Sequence, residues 1–387
     1  MPEVRPAFIW IGASLLLFVL VAVALLPGLF KSTYSASVVT AEHFAGETLP
    51  VKKAVHLPTP DSLKALYMTA CVASDKNWRV SLKTLIETTE LNAVVIDIKD
   101  YTGTVSFPNN FPKTLPSRGC VVPDIEDFIA ELHAVDIYVI GRVSVFQDVS
   151  YSTLFPDLAV KNKAGEVWKD YKGLSFIDVG AKPYWDYILE ISNQSYELGF
   201  DELNYDYVRY PSDGNMEDTN FTWMTASSTK AEMLESFFYY LSENVPEGVK
   251  TSVDLFGMTT TANFDLGIGQ VLEKALPYFD YIAPMVYPSH YPPNWNGFIN
   301  PAEKPYEVIK IAMSKGRERE VALNVSQGLA TTTASKLRPW LQDFNLGATY
   351  DAAKVQAQIQ ATYDSGLTGW MLWNASNRYT KEALQVQ

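Results

Sequence analysis

Apolar residues in this chain recur with two different spacings. From residue 60 onward, β-rich runs alternate with segments whose apolar residues fall at i, i+3, i+4 and i+7. The runs that read as strands are LKALYMTA (63–70), LNAVVIDIKD (91–100), DIYVIGRVSVF (136–146) and the segment that begins at Gly199. They continue with VKTSVDLFG (249–257), FDYIAPMVYP (279–288), EVALNVSQG (320–328) and GLTGWMLWNA (366–375). Between them, helices are expected around Leu82, Leu85, Ile86 and Thr89, around Ile125, Phe128, Ile129 and Leu132, and around Leu234, Phe237, Phe238 and Leu241. The same spacing recurs at Ile268, Val271, Leu272 and Ala275, and Pro183 opens the helix before the fourth strand.

Eight strand–helix units over roughly 320 residues predict an α/β fold, a (β/α)8 TIM barrel. A doubly wound open sheet is the alternative, but no G-x-G-x-x-G turn follows the first strand at Met68 to Ala70. The expected organisation is an apolar anchor or signal at 1–30, a linker at 31–60 and the barrel at 61–387.

The fourth strand run, GFDELNYDYVRYPSDG (199–214), departs from a plain apolar pattern. Alternation sets Glu202, Asn204 and Asp206 on one face and Leu203, Tyr205 and Tyr207 on the other. Burying a carboxylate without partners costs several kcal/mol, so such a strand carries either a satisfied network or a site. Barrel active sites lie at the C-terminal ends of the strands. Polar residues collect there: Asp97, Lys99 and Asp100; Arg142 and Gln147; Asn204, Asp206 and Arg209; Asp254; Tyr287, Ser289 and His290; Asn324 and Gln327; Trp373 and Asn374. Asp97 and Lys99 share a face by alternation, which allows an internal ion pair. Asp206 and Asp254 sit at similar depth on neighbouring strands about 4.8 Å apart, so their carboxyl groups can approach glycosidase spacing.

Between Arg5 and Lys31 there is no charged residue, and Phe8 to Leu26 is almost wholly apolar. That length suits a bilayer span, and an uncleaved anchor is favoured over a cleaved signal, although Ser35, Ala36 and Ser37 leave cleavage open. The expected location is the bacterial cytoplasmic membrane, single-pass, with the barrel outside the cytoplasm, or secreted if the segment is cleaved. The membrane partner would be engaged through this helix.

The chain has 387 residues, 47% of them hydrophobic, and a formal net charge of −13. No basic stripe follows a phosphate backbone, so nucleic acid is not an expected partner. Nine Trp and 22 Tyr supply rings that can pack a core or stack on sugars. Only four histidines occur, His43, His56, His133 and His290, and one falls at a strand end, so no metal centre and no cofactor are expected. No G-x-S-x-G elbow is present. Cys71 and Cys120 are the only cysteines; they form either a disulfide, expected in an exported protein, or two buried thiols.

From about residue 60 to the C-terminus the chain resembles DUF4015, a bacterial glycoside hydrolase family. The resemblance rests on VVIDIKDYTGTVSF (94–107), GFDELNYDYVRYPSDG (199–214), YIAPMVYPSHY (281–291), RPWLQDF (338–344) and QIQATYDSGLTGWMLWNASN (358–377), in that order. It departs at SFIDVGAKPYW (175–185), where a tryptophan and an Asp-Pro pair are expected; Asp178 remains. The resemblance implies a TIM barrel acting on carbohydrate and carries over Asp97, Lys99, Asp100, Asp206, Arg209, Tyr287, His290, Trp373 and Asn374. The expected function is hydrolysis of a cell-envelope or extracellular polysaccharide, the alternative a non-catalytic glycan-binding or scaffolding barrel. Asp206 is the expected nucleophile or charge stabiliser and Asp254 the general acid/base. Arg209 and Lys99 would tune them or hold anionic substituents. Asp97, Asp100, Arg142, Asn204, Tyr287, His290, Trp373 and Asn374 complete the expected sugar site.

Overall fold

The computed structural model describes residues 54–112, 119–225, 227–329 and 334–386. The apolar run at 8–26 and most of the 31–60 linker lie outside them. Among the described residues, no helix is long and apolar enough to cross a membrane.

Eight parallel strands close into a barrel: β1 (Lys64–Met68), β2 (Ala93–Lys99), β3 (Tyr138–Ser144), β4 (Glu202–Asp206), β5 (Lys250–Phe256), β6 (Tyr281–Met285), β7 (Trp340–Gln342) and β8 (Trp370–Trp373). Spatial order follows chain order, and β8 closes onto β1 through Lys64↔Trp370 and Leu66↔Leu372. The intervening helices include α1 (Lys76–Glu87), α2 (Ile125–His133), α3 (Lys182–Glu197), α4 (Lys230–Asn244), α5 (Leu272–Ala275), α6 (Pro305–Ser326) and α7 (Ala352–Asp364). Local chemistry sets their starts. The Asp75 carboxylate accepts from the Asn77 and Trp78 amides at α1, Pro183 lies in the first turn of α3, and Thr229 with Glu232 forms a capping box at α4.

Strand alternation divides the core. Leu66, Val94, Ile96, Val139, Leu203 and Val253 pack outward against the helices, while Ala65, Tyr67, Ala93, Val95, Ile140, Ala283, Trp340 and Met371 fill the barrel interior. Deep in that interior Glu202 pairs with Arg338, so the polar face of β4 begins as a structural network.

Two expectations are corrected. The run 320–328 is not the seventh strand: its first part is the end of α6, where burial recurs with helical spacing at Val308, Ile309, Ala312, Met313, Gly316 and Glu320. Val325 is exposed, and Gln327 with it, so Asn324 and Gln327 leave the barrel mouth. The seventh strand is only three residues long, too short for a period of two to show, and Gln342 and Asp343 stand at its end. The helix expected over 268–275 also shrinks to the four residues of α5, because Gly267 and Gly269 adopt positive φ (72° and 87°) just before it.

Cys71 and Cys120 are bridged, with Cα atoms 4.9 Å apart and a sequence separation of 49. The bond ties the loop after β2 to the helical segment after β1. In the chain-entropy picture, closing a loop of this length stabilises by about 4 kcal/mol.

Candidate active site

Register brings charges together at the C-terminal ends of β2 to β5. Asp97 pairs with Arg142 across β2–β3, Arg142 with Asn204 and Ser144 with Asp206 across β3–β4, and Asn204 with Ser252 across β4–β5. Arg142 is the hub. Its Nη1 donates to Asp97 Oδ1 at 2.7 Å, its Nε to Asp206 Oδ2 at 3.1 Å and its Nη2 to the same oxygen. Nε also lies 3.9 Å from Asp254 Oδ2. The Asp206 and Asp254 Oδ2 atoms are therefore at most about 7 Å apart, short of the upper limit for paired glycosidase carboxyls.

Three carboxyl groups surround one guanidinium, and all four side chains are at least nine-tenths buried. The charges do not balance, and the proton settles on the deepest member. Asp254 is 1% exposed; burial first, then the facing Asp206 charge, push its pKa up to about 8, against the opposing pull of Arg142. Asn204 Nδ2 and Trp340 Nε1 donate to its Oδ1 at 2.9 and 2.8 Å. Burial also raises Asp97, which accepts from the Tyr67 hydroxyl at 2.6 Å. Asp206 accepts the Tyr207 amide at 2.5 Å. Tyr207 itself has φ 52°, a left-handed conformation that costs an aromatic residue about 1–3 kcal/mol and sits directly after the central carboxylate.

Asp206 and Arg142 form part of the wall of a cavity of about 360 Å³, together with Tyr207, Arg209, Asp213, Phe256, Tyr287, His290, Tyr291 and Trp373. The Trp373 ring stacks on Tyr67 with centroids 4.0 Å apart, and the Arg142 guanidinium lies 5.1 Å from the Trp373 ring centroid. Burial and the nearby Asp254 and Asp206 keep the Tyr287 phenol protonated, and burial lowers the pKa of the His290 imidazole. Gly257 closes one side of this wall, where a Cβ would come within 2.6 Å of Met285 O and 2.7 Å of Tyr291 Oη. The combination of aromatic walls, a protonated acid and a buried carboxylate can bind a sugar ring and act on an acetal. No group of three His, Cys, Asp or Glu side chains among the described residues is arranged to hold a metal ion.

Of the residues expected in the site, Asp206, Arg142, Arg209, Tyr287, His290 and Trp373 reach the cavity. Asp97, Asn204 and Asp254 lie beneath the lining and hold the others. Lys99 is a correction: it is fully buried away from the cavity, 2.8 Å from Asp148 Oδ2 and donating to Ser144 O at 2.6 Å. A register shift between Asp97 and Lys99 breaks the alternation that would have put both on one face. Asp100 is likewise occupied locally, accepting from Thr102 N at 2.9 Å and from Thr102 Oγ1 in a tight loop. Asn374 braces its own turn, accepting from Ser376 N at 2.9 Å and donating to Arg378 O at 2.6 Å. Tyr67, Tyr207, Asp213, Phe256 and Trp340 contribute without having been expected. Tyr207, Asp213 and Trp340 lie inside quoted family segments, so a signal for them was present.

The DUF4015 model, described as "Putative glycosyl hydrolase domain", matches residues 65–379. The chain belongs to that family. Membership assigns it to the glycoside hydrolases as a reaction class. No curated protein matches the chain. A hypothetical protein from Ruminiclostridium thermocellum ATCC 27405 is 32% identical, covering 49% of this chain and 96% of its own, with a TM-score of 0.44. The PgaB (BpsB) glycoside hydrolase domain from Bordetella bronchiseptica is 15% identical, covering 84% of this family member and 98% of its own chain, with a TM-score of 0.58. Alpha-L-fucosidase isoenzyme 2 from Paenibacillus thiaminolyticus is 10% identical over 81% of this chain and 46% of its own, with a TM-score of 0.54. The last two share the barrel fold with this family member.

Proposed function

We propose that this glycoside hydrolase cleaves a cell-envelope or extracellular polysaccharide, tethered to the membrane by its first thirty residues with the barrel outside the cytoplasm. The observation that carries the chemistry is the division of labour between two neighbouring carboxyl groups. Asp206 is held by Arg142 at the cavity wall, while Asp254 is pushed up to about pKa 8 and keeps its proton at neutral pH. In this reading Asp206 attacks or stabilises the oxocarbenium-like centre, and Asp254 protonates the leaving oxygen. Because Asp254 lies one layer below the lining, its proton reaches the substrate once the glycosidic oxygen descends to the level of Arg142, or through one bridging water. Tyr287, His290 and Trp373 hold the sugar.

One observation favours a second assignment of the acid. Asp213 lines the cavity and Asp254 does not, which makes Asp213 the other candidate proton donor. Reducing-end release from a panel of envelope polysaccharides, measured for wild type, Asp206→Asn, Asp254→Asn and Asp213→Asn, tests both. The proposal expects hydrolysis of at least one polysaccharide, its loss in Asp206→Asn, and loss of the alkaline limb in Asp254→Asn. Full activity in Asp206→Asn would sink it, and loss confined to Asp213→Asn would move the acid.

A further inference from the structure

Arginines in the described residues have carboxylate partners with one half-buried exception. Arg79 pairs with Asp124, Arg142 with Asp97 and Asp206, Arg317 with Glu320, Arg319 with Glu273 and Arg338 with Glu202, and Arg378 is exposed. Arg209 is different. Among the described residues no carboxylate oxygen lies within 4.0 Å of its guanidinium. Asp206, Asp213 and Asp170 act on it only through space.

Its surroundings fix the side chain without neutralising it. Nη1 donates to Tyr210 O and to Ser212 Oγ, both at 3.1 Å. The guanidinium stands over the rings of Phe256, Tyr207 and Phe176, with centroid distances of 4.9, 5.2 and 5.7 Å. Nε and Nη2, the edge of the fork that matches a carboxylate in two parallel hydrogen bonds, have no hydrogen-bond partner among the described residues and are not sealed from solvent. A guanidinium clamped over three rings, with no directly paired carboxylate and its fork edge open to a cavity, is set up to receive an anionic group from a ligand. The position is informative too, because Arg209 and Asp206 line the same cavity.

We propose that Arg209 binds a carboxylate on the sugar unit seated in this cavity, so that the substrate is an acidic, uronic-acid-type glycan. This rests on the hydrolase reading of the same site and adds the substrate class to it. Arg142 does not take that role, since its single charge is already shared among Asp97, Asp206 and Asp254. The net charge of −13 repels polyanions at long range, so selection for the carboxylate is local and short-ranged.

The test is a comparison of small probes that differ only in the carboxylate. Methyl glucuronide and methyl galacturonide are titrated by NMR against methyl glucoside and methyl galactoside, using wild type, Arg209→Gln and Arg209→Lys. At least one uronide should bind wild type about 10- to 100-fold more tightly than its neutral counterpart. That ratio should collapse in Arg209→Gln and fall to an intermediate value in Arg209→Lys, which keeps the charge but loses the fork. Thermal melting of each variant shows that it is folded. The wild-type ratio should also vanish below the pKa of the sugar carboxylate, a reading that needs no variant. Equal binding of acidic and neutral probes to wild type, no binding of either, or a ratio that survives in Arg209→Gln overturns the inference. If the uronide preference appears while no polysaccharide is cleaved, the carboxylate site stands and the hydrolase reading falls.

Discussion

Two buried ion sets lie on neighbouring strands, and they have opposite electrostatic designs. Lys99 and Asp148 form a one-to-one pair at 2.8 Å with both side chains fully enclosed, and the Tyr184 hydroxyl adds a 2.9 Å bond to Asp148. Arg142 instead faces three carboxyl groups. The balanced set is closed off outside the barrel interior, whereas the unbalanced set borders the cavity. A balanced pair has no reason to store a proton, but a surplus of carboxylates around one cation does. The difference separates a brace from a site more sharply than burial, which is nearly the same for both.

Substitutions can break this contrast from either side. The largest expected effect is on Asp206: Asp206→Asn should lower kcat/KM by at least about 10³-fold on any polysaccharide the wild type cleaves, with a cooperative melt retained. Next is Lys99→Met, which strands the Asp148 charge and should destabilise by about 3–5 kcal/mol in denaturant titration while leaving kcat per folded molecule close to wild type. If that variant lost turnover without losing stability, the brace would belong to the site after all. Asp254→Asn should lower kcat/KM by roughly 10²- to 10³-fold and flatten the alkaline limb of the pH profile.

The sign of that limb follows from the raised pKa. Asp254 is protonated below about pH 8, so wild-type activity should fall as pH rises through that value. The same group makes the folded state bind more protons than the unfolded one between its ordinary pKa and about 8, so its contribution to stability also declines as pH rises across that window. The smallest expected effect is on Trp340→Phe, which removes one donor to Asp254 Oδ1. Losing a hydrogen bond to the ionised form should move the alkaline limb up by about one unit or less.

The barrel was legible in the sequence because seven of its strands are long enough for their apolar pattern to show. β7 was not, since three residues carry no period and the Val-rich end of α6 imitates a strand. The candidate site was legible where alternation held, as at Glu202, Asn204 and Asp206. It failed at Lys99, because a one-residue register shift turns that side chain away from Asp97. Asp148 escaped notice because it follows β3 in a loop, and loops have no periodicity to betray a buried charge. Arg142 was placed in the site by its strand position, but its part as the shared counter-ion depends on cross-strand distances.

The central claim is that the surplus of carboxylates around Arg142 keeps Asp254 protonated at neutral pH. A ¹³C NMR titration of the aspartate side-chain carbons, in wild type and in Asp206→Asn, measures this without a substrate. The account predicts that Asp254 titrates near pH 8 in wild type and moves down toward the ordinary carboxylate range when the Asp206 charge is removed. An Asp254 already ionised at pH 6, or one whose titration ignores the loss of Asp206, would contradict it.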